Sequence, residues 1–140
     1  MNTNYTLADL ARRMNEAAAV LDKYTDLPTL RGVFVYEAYV SLAGMNTYID
    51  PWQAALDLAA WADKFGVTCK VVTSYSGDGS ITIEFEEDGL TFRMSSNLGT
   101  AHAYELGAVL RQKLTRDKPL MLSAQRLAEV ARGIQAEASK

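Results

Sequence analysis

The chain has 140 residues, 49% of them hydrophobic and 22% charged, and its 17 acidic and 14 basic side chains leave a net charge of −3. That length suits one domain able to bury roughly two-thirds of its unfolded surface, and the composition excludes a disordered chain. Residues 1–70 hold eight acids and six bases and residues 71–140 nine and eight, so no basic excess exists to neutralise nucleic-acid phosphates.

A single cysteine, Cys69, excludes an intrachain disulfide and a multi-cysteine metal site. It falls on the apolar side of a strand pattern, where a free thiol behaves as a small hydrophobe. The start, Met1 to Thr6, has neither a positive segment nor an apolar one, so no signal peptide is visible. No apolar run approaches the ~18 residues of a membrane helix. The expected location is cytoplasmic.

Thr6 or Thr3 opens the first helix, and Thr6 with Asp9 forms a capping box in which Asp replaces the usual Glu or Gln. Leu7, Leu10, Ala11, Met14, Ala17, Ala18 and Leu21 give it an apolar stripe. It should stop before Pro28, because the residue before a proline is pushed out of the helical region.

Residues 31–43 are dense in β-branched and aromatic side chains and predict a strand, folding back through Gly44 into a short second strand near Thr47–Ile49, with a helix as the alternative. Asp50-Pro51 then reads as N-cap and first helical residue. Ala54, Ala55, Leu58, Trp61, Ala62 and Phe65 form the stripe of this second helix, and Gly66 stands where helices commonly end. Trp61 and Phe65 should pack on the sheet; Trp52 lies at the exposed end.

From Val67 to Met94 the pattern alternates in twos. Val67, Cys69, Val71, Thr73 and Tyr75, then Ile81, Ile83 and Phe85, then Leu90, Phe92 and Met94 share one face, with turns at Gly77-Asp78-Gly79 and Asp88-Gly89. This predicts a three-stranded antiparallel meander with one apolar and one wet face. Ser95 to Thr100 read as a polar loop. A third helix follows, with Ala103, Leu106, Gly107, Val109, Leu110 and Leu114 inward and Arg111, Lys113, Arg116 and Lys118 at its end, until Pro119 breaks it. Ser123 caps a fourth helix. The expected fold is α+β, a two-layer sandwich in which helices cover an antiparallel meander plus one further strand, in the order α-β-α-β-β-β-α-α.

No catalytic, cofactor-binding or metal-ligating motif accompanies this pattern. His102 lies near a helix N-terminus beside Ser95, Ser96, Asn97 and Thr100, but nothing in the spacing supplies an orienting partner. The first helix has the look of a helix-turn-helix opening without the tight turn and second helix. Two groups suggest a protein contact instead. Phe34, Tyr36, Tyr39, Tyr48 and Trp52 are more aromatics than a small core can hold. Glu84, Glu86, Glu87 and Asp88 form an acidic tip that would meet a basic partner, or serve as a solvated turn discouraging edge-to-edge pairing.

Trp61-Ala62-Asp63-Lys64-Phe65-Gly66 into Val67, followed by two hairpins ending Asp88-Gly89-Leu90-Thr91-Phe92, resembles small uncharacterised proteins of actinobacteria and their phages over about half the chain. The resemblance implies a phage or mobile-element origin and carries no activity. The expectation is therefore a non-enzymatic interaction module, an inhibitor or modulator of a host protein. Its candidate interface is Tyr36, Tyr39, Tyr48, Trp52, Glu84, Glu86, Glu87 and Asp88. It should need no cofactor, take another protein or a second copy as partner, and bind neither nucleic acid nor membrane. The alternatives are a DNA-associated regulator and a small ligand-binding protein or enzyme around His102 and Ser95.

Overall fold

Ten elements follow one another in the computed structural model, which describes residues 4–45, 50–74 and 76–139. They are α1 (Leu7–Asp22), β1 (Leu30–Val35), β2 (Val40–Gly44), α2 (Pro51–Phe65), β3 (Cys69–Thr73), β4 (Gly79–Glu87), β5 (Leu90–Leu98), α3 (Thr100–Leu110), β6 (Leu120–Leu122) and α4 (Ala124–Ala138). The fold is α+β: a six-stranded sheet in the order β1-β2-β5-β4-β3-β6, packed with helices.

The meander is present as β3-β4-β5, and its alternation is what buries it. Cys69, Val71, Ile81, Ile83, Phe85, Leu90, Phe92 and Met94 are all within 4% of complete burial. Residues between them, such as Lys70, Glu84, Glu86 and Arg93, stay exposed. All four helices contribute buried side chains to this one core. Helix α2 lies centrally on the sheet, where Phe65 stacks on Phe85 with ring centroids 3.8 Å apart and Phe85 on Phe92 at 5.2 Å. The Trp61 indole NH donates to the Pro28 carbonyl at 3.2 Å, satisfying its one polar atom.

The segment at 31–43 is a hairpin, not one strand. It reverses at Tyr36–Tyr39, where the Tyr36 amide donates to the Tyr39 carbonyl at 2.9 Å. Because β2 then pairs parallel with β5, the sheet is mixed, and the expected return strand at Thr47–Ile49 lies outside the described residues, as do Thr3 and Tyr75. The sixth strand was not legible: Leu120-Met121-Leu122 is too short to show a period, yet pairs with β3. Ser95 to Leu98 continue β5 instead of forming a loop.

Helix starts match the expected caps. Asp9 and Thr6 close the capping box in both directions, Asp50 accepts from the amides of Trp52 and Gln53, and Ser123 accepts from the amide of Arg126. Helix α1 ends at Asp22, well before Pro28, and its first half runs past the core. Ala17 and Val20 are buried, whereas Leu7 is 84% and Met14 53% exposed.

Helix α3 ends at Leu110, so Arg111 to Lys118 are not its last turns. Its end repeats that of α2. At α2, Gly66 is left-handed (φ 65°), its amide donates to Asp63 and that of Val67 to Ala62. At α3, Arg111 is left-handed (φ 55°), its amide donates to Ala108 and that of Gln112 to Gly107. Both are Schellman ends, a motif that favours glycine at the left-handed residue. The two should therefore respond oppositely: Gly66→Ala is expected to cost about 1 kcal/mol and Arg111→Gly to add about 1 kcal/mol in denaturant unfolding.

Candidate functional site

With the helices on the apolar side, no helix among the described residues covers the other face of the sheet, and only at its Val72, Ser80 and Asn97 end does Arg116 reach it. Register aligns its side chains in rows across the strands. Phe34 stands opposite Ser41, Ser41 beside Arg93, and Arg93 opposite Glu84. A second row runs Ser95, Thr82, Lys70, Met121, with the Thr82 and Ser95 hydroxyls 3.0 Å apart.

The aromatic side chains gather at the β1–β2 end of this face. Phe34 is 52% and Tyr36 48% exposed, and the Tyr36 and Tyr39 rings lie 5.0 Å apart. The Arg93 guanidinium sits 4.3 Å from the Tyr39 ring centre, while its Nε donates to a Glu84 carboxylate oxygen at 2.8 Å. Each contact is worth only about 1 kcal/mol at an exposed site, but together they hold a planar cation and the Tyr36 and Tyr39 rings in one place. Arg93 joins Tyr36, Tyr39 and Glu84 in this cluster, and Phe34 is exposed on the same face in the row of Ser41 and Arg93. Sequence could not find Arg93, because its partner Tyr39 comes from a strand pairing that crosses α2, β3 and β4.

The other expected interface residues divide. Trp52 is buried (7% exposed), meets the His102 ring edge-on at 5.8 Å where both line the groove between α3 and α4, and packs with the core. Glu87 accepts from the Tyr24 hydroxyl at 3.0 Å, and Asp88 pairs with Lys23 at 2.6 Å. These two acids clamp the hairpin tip onto the end of α1. Nor does the tip guard a sheet edge, since β4 and β5 are central strands. Glu86 remains exposed opposite Thr91. Tyr48 lies outside the described residues.

The His102 constellation is dispersed by the sheet. Ser95 and Asn97 point to the bare face, while Ser96 points into the core, 2% exposed, with its Oγ lacking a hydrogen-bond partner among the described residues. Thr100 donates to Asp78 instead. The imidazole lies in a groove between α3 and α4 with Glu105, Val109, Val130 and Ile134. Among the described residues no group of three or more metal-ligating side chains exists, and no helix is long and apolar enough to cross a membrane. No protein-family model, curated protein or solved structure matches this chain.

Two outcomes follow from these placements. Ser96→Ala removes a desolvated hydroxyl that gains no bond and should raise unfolding free energy by about 1 kcal/mol; a loss of that size would reveal a partner for Oγ.

The second concerns alkaline pH. Burial pushes the Cys69 thiol from 9.0 up to about 11. The Asp88 partner raises Lys23 above 10.5, and the hydrogen bond to Glu87 raises Tyr24 above 10.0. Each group holds its proton more tightly in the fold, so its contribution is complete below its unfolded value and lost as pH climbs through its folded one. Stability measured by guanidinium unfolding should fall from pH 9 upward, with Cys69 accounting for roughly 2–3 kcal/mol by pH 11. Cys69→Ala should start lower and stay flat between pH 9 and 10.

Proposed function

We infer that this protein is a non-enzymatic interaction module that docks another protein on the bare face of its sheet. One observation carries the reading: a sheet covered on one side only concentrates Phe34, Tyr36, Tyr39 and an oriented Arg93 at one end of its uncovered side. Aromatic and arginine side chains supply most binding energy at protein interfaces, because they remove large areas from water while keeping a polar or charged handle. Glu84 is neutralised by Arg93, and Glu86 adds an exposed carboxylate on the same face, favouring a partner with a basic rim. The resemblance to small proteins of actinobacteria and their phages is in keeping with a host protein as target and with inhibition or modulation as the consequence.

The reading is tested with a photo-crosslinking amino acid at Tyr36 and, as control, at exposed Gln125 on α4. A discrete adduct with a host protein at position 36 alone, abolished by Phe34→Ala with Arg93→Ala, is the expected result. An adduct of twice the chain's own mass would make the partner a second copy. Adducts confined to position 125 would move the interface elsewhere, and retention on DNA that weakens steeply with salt would favour a regulator.

A further inference from the structure

The reversal at the end of α3 does more than stop a helix. It turns residues 111–114 back alongside α3, so closely that a Cβ on Gly107 would lie 2.9 Å from the Gln112 carbonyl oxygen and 3.6 Å from Leu114 Cγ. Thr73 Oγ1 donates to the Leu114 carbonyl at 3.4 Å, tying the returning segment to β3. Between helix and returning chain lies a solvent-open groove of about 530 Å³, lined by Thr73, Ala103, Tyr104, Gly107, Ala108 and Leu114, with Arg111 and Lys113 also on its wall. That size falls in the range of small-molecule sites, roughly 300–1,000 Å³.

The chemistry of the wall is divided. Most of it is methyl, methylene and ring surface. Arg111 and Lys113 are both exposed, and neither has a carboxylate partner among the described residues. Arg111 also occupies a left-handed backbone position that glycine would hold without strain. A strained residue that keeps its cation beside an apolar hollow is the arrangement expected where the side chain is used.

We propose that this groove binds a small amphiphile with an apolar body and an anionic head. The body lies against Ala103, Gly107, Ala108 and Leu114, and the head lies between Arg111 and Lys113. The site is separate from the aromatic cluster, since β2, β5 and β4 stand between β1 and β3 in the sheet.

The test is titration of the ¹⁵N-labelled chain with decanoate below its micellar concentration, followed by amide resonances, with decanol as the uncharged comparison. Saturable shifts at Tyr104, Gly107 and Leu114, and binding of decanol about tenfold weaker, are expected. Arg111→Gly and Lys113→Gln should each weaken decanoate binding several-fold. Arg111→Gly should do so while raising the melting temperature, a combination that a purely structural Arg111 would not produce. The proposal is overturned by absence of saturable shifts at those amides, by equal affinity for decanol, or by unchanged affinity in both variants. It is equally overturned by binding to phosphatidylglycerol vesicles with no response to free decanoate, which would assign the surface to a membrane.

Discussion

The contact on which the rest of the structure depends is the stacking of Phe65 on Phe85, 3.8 Å between ring centres, with Phe92 continuing the stack across the neighbouring strand. It presses α2 against the two central strands. Everything else is arranged around that seat: Tyr24 meets Phe65 edge-on at 4.9 Å and so brings the end of α1 onto the same side, and α4 packs along α2. With the apolar face of β4 and β5 committed to α2 and the buried sides of the other helices turned to the same core, no helix among the described residues covers the opposite face. The bare face is therefore a consequence of core packing, and the residues displayed there are free to serve another purpose.

What the chain's pattern makes legible, and what it hides, follows from the range of each interaction. The capping box at Thr6, the Asp50-Pro51 start, the left-handed Gly66 and the alternation from Cys69 to Met94 are local features, and each lies where local reasoning places it. The β1–β2 hairpin was hidden because Phe34, Tyr36, Ala38 and Val40 alternate straight through the turn at Tyr36–Tyr39, so period two alone could not mark the reversal. The end of α3 was hidden for the opposite reason. Arg111 takes a conformation that its residue type disfavours, and Leu114, one turn beyond, continued the apolar stripe by chance. The cluster of Arg93 with Tyr39 depends on the parallel pairing of β2 with β5, across some fifty residues of chain. No spacing rule reaches that far.

The acidic tip shows how residue type alone can mislead about role. Four acids in five positions suggest a surface waiting for a basic partner, yet two of them are already matched by Lys23 and Tyr24. Glu84 is matched by Arg93, and that pairing has a different result. It fixes the guanidinium 4.3 Å from the Tyr39 ring centre, so this carboxylate orients an arginine on the sheet face instead of standing alone. One run of acids thus divides into a clamp between elements and an orienting group on the bare face.

If the sheet docks a partner as proposed, the form of its edges favours contact with its face over extension of its strands. Strand addition needs a long, regular, unpaired edge. One edge is β6, three residues long and followed immediately by α4. The other is β1, whose pairing register shifts between Leu30 and Gly32, a bulge that twists an edge away from further pairing. Both edges are blunted by backbone geometry, whereas the aromatic end of the face carries three rings and an oriented cation with no helix above them. The fold therefore offers little edge for association through main-chain hydrogen bonds and, on the proposed reading, would meet a partner through its exposed side chains without becoming a template for aggregation.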